Sequence, residues 1–278
     1  MTTAAMFPDR IDRVVLDGVV NPHEYYAGRL VTLVFVASFA DVVRSDVQSI
    51  HDTDSVLSEF FKGCVAAPPG ICPLAYPGAT ATDLEQAFID LLDDIKYNPI
   101  ATSPAETGST VNYGAIKTFV AGQLYNPVTW AETSAALYGL LHRNTTLFTT
   151  LNSEISSAAG NLGEVNAGIR CSDNDIRAQN RSEVMPVVEA MYNSSFSVGD
   201  IQAGLPLGCA SWRFRAKERY TRGFTNITTK SPLLFIGNTF DPVTPLVSAQ
   251  NASAGFEGSV VLQHDGHGVS SDGRSFRY

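Results

Sequence analysis

Leu233-Leu234-Phe235-Ile236-Gly237-Asn238-Thr239-Phe240-Asp241-Pro242-Val243-Thr244-Pro245 passes from an apolar run through a polar turn into a helix that starts near Pro245. Leu233 to Gly237 (LLFIG) is apolar at every position, which is the pattern of a strand covered on both faces in a parallel sheet. Two other runs read the same way, Arg13 to Val20 (RVVLDGVV) and Ser259 to Gln263 (SVVLQ). Ahead of the first, Ala4-Ala5-Met6-Phe7-Pro8 reads as a helix end, with Pro8 and Asp9 making the turn. The fold class is therefore α/β, with about three parallel strands contributed by the two ends of the chain.

More than two hundred residues separate the first strand from the second, and they carry a helical period instead. Asp83 to Lys96 places Leu84, Phe88, Leu91, Leu92 and Ile95 on one helical face, with Asp83 as its cap and Pro99 as its stop. Trp130 to Leu141, Leu147 to Ser157, Arg181 to Tyr192 and Ala210 to Tyr220 repeat the pattern more weakly. The residues from about 51 to 230 thus read as a mostly helical block interrupting the sheet. Three parallel strands cannot cover their own edges, so the sheet reads as incomplete.

The 278 residues carry 28 acidic and 19 basic side chains, a formal charge of −9, and no stripe of Lys and Arg. That field repels phosphates and argues against nucleic acid as a partner. The longest apolar run, Leu30 to Ala40, falls short of the roughly 20 residues a membrane span requires. Met1 to Arg13 has no basic segment ahead of an apolar one, so no signal peptide is expected in the chain as given. Four cysteines, none in a CxxC pair, disfavour zinc. Two disulfides fit instead, Cys64–Cys72 around a Pro/Gly turn and Cys171–Cys209 around a longer loop, with buried free thiols as the alternative. Sequons at Asn144, Asn180, Asn193, Asn226 and Asn251 also fit export.

Asp241 alone reads as a turn-forming residue before Pro242. Its meaning changes because the next strand, SVVLQ, runs into His264-Asp265-Gly266-His267-Gly268 about 25 residues later. An acid after one strand and a histidine after the next is the second half of a Ser…Asp…His triad in α/β-hydrolase order. A serine hydroxyl needs imidazole to take its proton, and the imidazole needs a carboxylate to fix its tautomer. Asp241 and His267 are the candidate catalytic pair. The serine should lie in GxSxG, and the chain contains no such pattern; the nearest, Gly268-Val269-Ser270-Ser271-Asp272, lacks its closing glycine. His264 and His267 with Asp265 or Asp241 make a weaker metal pattern, and surface histidines are a further alternative, so neither metal nor cofactor is expected.

Several stretches resemble the tripeptidyl-aminopeptidase-like serine peptidases, the secreted fungal α/β-hydrolases related to proline iminopeptidases. They are Ala4 to Arg10 with Val14 to Pro22, Phe61-Lys62-Gly63-Cys64, Ile169-Arg170-Cys171-Ser172-Asp173, Ala216 to Tyr220, and Phe235 to Leu246. The resemblance covers residues 1 to 28 and 51 to 268. It implies an incomplete α/β-hydrolase core at 1–28 and 231–278, a family-atypical insert at 29–50, and a large inserted helical cap at 51–230. It further implies an extracellular exopeptidase acting on peptides with a free N-terminus, with Asp241 as the triad acid. In relatives the nucleophile precedes the helix ending Ala-Ala-x-Phe-Pro, so Met1 is expected to begin just downstream of the missing serine.

The family histidine falls at Val269, and His267 stands in for it only if the loop shifts by two residues. The insert and the tail from Val269 to Tyr278 are expected to be translated introns behind a misplaced start. On this reading the chain is a C-terminal fragment, inactive as written. The alternatives are a non-catalytic binding or scaffold protein and an esterase-type hydrolase. Asp90, Asp93 and Asp94 could hold a substrate ammonium group, but they read better as an acidic solvated helix face.

Overall fold

The two ends of the chain meet in one parallel sheet in the computed structural model, which describes residues 1–27, 46–102, 110–159 and 162–269. Most of the insert expected at 29–50, and the tail after Val269, lie outside the described residues. Contacts divide the described residues into two units, one formed by 1–53 with 162–269 and the other by 54–159.

The first unit opens on helix α1 (Thr2–Met6), a 3-10 turn at Pro8–Arg10, strand β1 (Val15–Asp17) and helix α2 (Pro22–Ala27). Ala4 and Ala5 are buried, and their small size lets the helix approach the sheet. A second 3-10 turn, Val47–Ile50, precedes the second unit.

That second unit consists of α3 (Thr53–Ala66, from Asp54 on), α4 (Ala81–Tyr97), a short antiparallel pair β2 (Ile100–Ala101) and β3 (Thr110–Val111), then α5 (Tyr113–Gln123), α6 (Trp130–Leu141) and α7 (Thr146–Ala159). Helix α4 buries Leu84, Phe88, Leu91, Leu92 and Ile95, the five residues its period placed on one face. Its cap differs from the expectation. Thr80 is the N-cap, accepting from the Asp83 N–H, while the Asp83 carboxylate accepts from the Thr80 N–H and hydroxyl. Asp83 thus serves from inside the first turn, as the reciprocal partner of a capping box. Of the acidic residues on α4, Asp90 accepts from Gln86 and Asp94 pairs with Arg143. The Cys64–Cys72 disulfide closes the turn after α3, with Cα atoms 5.3 Å apart.

The chain returns to the first unit through α8 (Leu162–Asp173), α9 (Arg181–Ser194), α10 (Gly199–Gln202) and α11 (Gly204–Ala210). The Cys171–Cys209 disulfide joins α8 to α11, within a buried cluster that includes Ile176 and Val184. Here the sequence misleads: the helix expected over Ala210 to Tyr220 is absent, because α11 ends at Ala210. Side-chain bonds tie the stretch to α8 and the loop after it. Arg177 donates to the carbonyls of Cys171 (2.8 Å) and Phe214 (2.9 Å), and the Arg219 Nε donates to Asp173 O at 3.0 Å. Of these three carbonyls, only that of Phe214 lies in the stretch that lacks its expected helix.

Strand β4 (Leu234–Phe240), helix α12 (Leu246–Ser253) and strand β5 (Val260–His267) complete the sheet, in the order β1-β4-β5, all parallel. Both later strands outrun their expected ends, so His264 to His267 lie in β5 and not after it. One side of the sheet is well packed: Leu233 and Phe235 are buried with Ala4, Ala5, Ala249, Ala252 and Phe256. The expectation of cover on both faces fails elsewhere, since Val15, Val260 and Leu262 are each more than half exposed. Gly237 is required for the approach of α12. A Cβ there would lie 3.0 Å from Leu246 Cδ1 and 3.2 Å from both Leu246 Cα and Ala249 Cβ.

Two substitutions test these packings. Gly237→Val should destabilise the chain by about 1–3 kcal/mol in urea unfolding, through overpacking against α12. Thr80→Ala should cost about 1 kcal/mol, the usual loss of an N-cap.

Candidate active site

The turn after β4 is built around one carboxylate. Asp241 is 1% exposed, and its Oδ1 accepts from the backbone N–H of Val243 (2.9 Å) and Thr244 (2.7 Å). Its Oδ2 accepts from the Thr244 hydroxyl at 2.6 Å. Pro242 has no N–H to satisfy, and its carbonyl accepts from the buried Thr53 hydroxyl at 2.7 Å. Pro245 then sits at the N-cap of α12 with extended backbone, where its lack of an N–H costs no helical bond. The run Asp-Pro-Val-Thr-Pro therefore folds as a self-satisfied turn that keeps a carboxylate away from water.

Burial pushes the Asp241 carboxyl above the usual carboxylate range. The bonds from Thr244 and Val243 pull it back, and the negative charge of Asp17, at the end of β1, adds to the rise. A carboxylate in this condition gains from a neighbouring cation, which is the service a triad acid gives imidazolium.

The end of β5 is held by a second buried polar side chain. Asn238 is 1% exposed; its Nδ2 donates to Gly268 O at 2.8 Å, and its Oδ1 lies 2.8 Å from His264 Nδ1. Because the amide nitrogen is committed to Gly268, the Oδ1 must accept, so His264 carries its proton on Nδ1. Between these two points the strands change register: Asn238 pairs with His264, but Phe240 pairs with His267, leaving one extra residue in β5. Gly266 lies within that irregularity, and a Cβ there would collide with the His264 ring.

The structure therefore gives the two histidines different surroundings. His264 is bonded to Asn238, whereas the His267 ring stacks on Phe240, with centroids 4.8 Å apart and planes 9° from parallel. The hydrogen bonds on Asp241 come from its own turn. Val269, the position that the resemblance gives to the histidine, comes near that turn: Gly18, held at φ +63° after β1, has Val269 O and Thr244 Oγ1 within 3.4 and 3.7 Å of a built Cβ. Among the described residues no three His, Cys, Asp or Glu side chains gather as a metal site. In the sequence, Asn238 and Thr244 stand out only as members of the Leu233–Pro245 motif. The signals for their roles were an Asn interrupting an apolar strand and a Thr three residues beyond an Asp.

The sheet thus carries a buried acid after one strand and histidines closing the next, an order consistent with an α/β-hydrolase. Comparison with known proteins agrees. Residues 194–275 match the α/β-hydrolase family model described as TAP-like protein. The chain is similar to the serine protease Hip1 of Mycobacterium tuberculosis, 24% identical over 95% of this chain and 48% of that protein. It is also similar to the putative hydrolase YuaR of Escherichia coli, 23% identical over 97% of this chain and 50% of that protein. The chain spans about half the length of these curated relatives. These likenesses support an α/β-hydrolase related to serine proteases.

The raised Asp241 value has a measurable sign. Its contribution to stability is present below the unfolded carboxylate pKa of about 4 and is lost as pH rises through the higher folded value. Urea unfolding of the native chain and of Asp241→Asn across that window should show the native chain losing stability relative to the variant as pH rises.

Proposed function

We propose that this chain carries the acid-and-base part of a secreted serine exopeptidase of the tripeptidyl- or prolyl-aminopeptidase type, acting on peptides with a free N-terminus. Asp241 orients and charges the histidine, and His267 is the base. The observation that carries this reading is the Asp241 carboxylate, buried and bonded by its own turn at the carboxyl end of β4, where open α/β sheets place functional groups. The relatives support it, one being called a serine protease and another a putative hydrolase. The two disulfides suit an oxidising compartment, which supports an extracellular site of action.

The 278 residues contain no GxSxG, so the serine that His267 would activate is not supplied by that motif within them. On this reading the chain by itself does not turn over substrate, since Asp and His without a nucleophile perform no acyl transfer.

A fluorophosphonate probe and a tripeptide amide with a free N-terminus test the proposal. The 278-residue chain should neither be labelled nor release product, and labelling or turnover would defeat the inactive reading. In a longer polypeptide that supplies the serine, Asp241→Asn should lower kcat by roughly ten-thousand-fold, the loss seen when a triad acid is neutralised. A loss of tenfold or less would remove Asp241 from the triad.

A further inference from the structure

The second unit holds a cavity that the hydrolase reading does not use. It has a volume of about 230 Å³, opens to solvent on one side and is lined by α3, α4 and α6 with the loop after the Cys64–Cys72 disulfide. Phe61, Phe88, Leu91 and Leu137 form its floor, and all four are buried. Tyr76 and Tyr138 stand at its mouth, 59% and 44% exposed, beside His142. None of the lining residues is Asp, Glu, Lys or Arg.

We propose that this cavity binds a single uncharged aromatic ring, either in a free small molecule or as the side chain of a peptide. The size sets the class. A dry cavity of about 150 Å³ lined by Leu, Ile and Phe is already enough to take benzene. Pockets for drug-sized ligands begin near 300 Å³, so this one admits a ring and little more. The shape and lining choose aromatic over aliphatic occupants. Phe61 and Phe88 are tilted at 48° with centroids 6.0 Å apart, and Tyr138 meets His142 edge to face at 4.5 Å. Rings set at such angles offer faces and edges to another ring, the geometry in which aromatic groups attract beyond simple burial.

The lack of charged side chains excludes an ion as the buried group, because nothing there would repay its desolvation. Exposure of Tyr76 and Tyr138 places two amphipathic rings at the entrance, where a ligand's polar end can remain wet while its ring is buried. The proposal stands independently of Asp241 and of the exopeptidase assignment.

Saturation-transfer NMR on the full chain, with toluene and with N-acetyl-phenylalaninamide as probes, tests it. Ring protons of toluene should receive saturation, and those of the amide will do so if the cavity also admits a side chain attached to a backbone. Ala87→Leu fills the cavity from α4 and should weaken toluene binding by about tenfold or more, since it occupies the space that buries the ring. Its circular dichroism should match the native chain. Absence of transfer to both probes at millimolar concentration overturns the proposal, as does undiminished binding by a folded Ala87→Leu variant. Should that variant not fold, displacement of toluene by benzene on the native chain decides: competition for one saturable site supports the cavity, and non-saturable, independent transfer refutes it.

Discussion

The Asn238 carboxamide fixes the end of the sheet on which the candidate site is built. A buried amide left without partners would cost roughly 1–3 kcal/mol, so its two bonds, to Gly268 O and His264 Nδ1, are strongly favoured. They reach across the register shift and hold β5 beside β4 up to Gly268, whose N–H donates to Phe240 O at 2.9 Å. The histidines follow from that constraint. His264 is committed to the amide, and the extra residue in β5 brings His267 opposite Phe240. Without the shift, each residue beyond His264 would lie one place further along β4, and alternation would reverse the side that each side chain faces.

Asp241 depends on the same strand but is organised differently. Its three donors lie within the next three residues, so the local turn can satisfy the carboxylate by itself. What it lacks in those contacts is a positive charge, and burial, with the negative charge of Asp17 added, raises its proton affinity. An acid so placed contributes little to stability for its cost, and such arrangements cluster where charge is needed for chemistry. The turn also joins the sheet to the helix after it: Leu246 and Ala249 of α12 press against Gly237, so the glycine that opens the motif and the helix that closes it fit only together.

Much of the architecture was legible in the residues. The helical face of α4 and the bounds of α6 agree with the sequence period because both depend on spacing along a single segment. The three parallel strands are visible as short β-branched runs, and the two disulfides are the pairs that fitted the turn and the loop, where the sequence left free thiols as the alternative. The failures share a cause. Ala210 to Tyr220 has helix-compatible composition, yet its Phe214 carbonyl accepts from Arg177 and its Arg219 reaches out to the Asp173 carbonyl, contacts that depend on residues distant in sequence. Asp83 stands at the head of the apolar period and so reads as the cap, but a capping box is decided by which side chain faces which N–H.

By itself the sequence determined the class of fold, the placing of an acid and of histidines at the ends of adjacent strands, and the absence of a GxSxG motif. Those features are written in local order: side-chain alternation, β-branching, helical period and the positions of Pro and Gly. Tertiary structure decided where each strand ends, which histidine is tied to Asn238 and which lies on Phe240, and how deeply Asp241 is buried. Each of these depends on partners distant in sequence, because hydrogen-bond satisfaction and desolvation are properties of the packed environment and not of the segment that carries the residue.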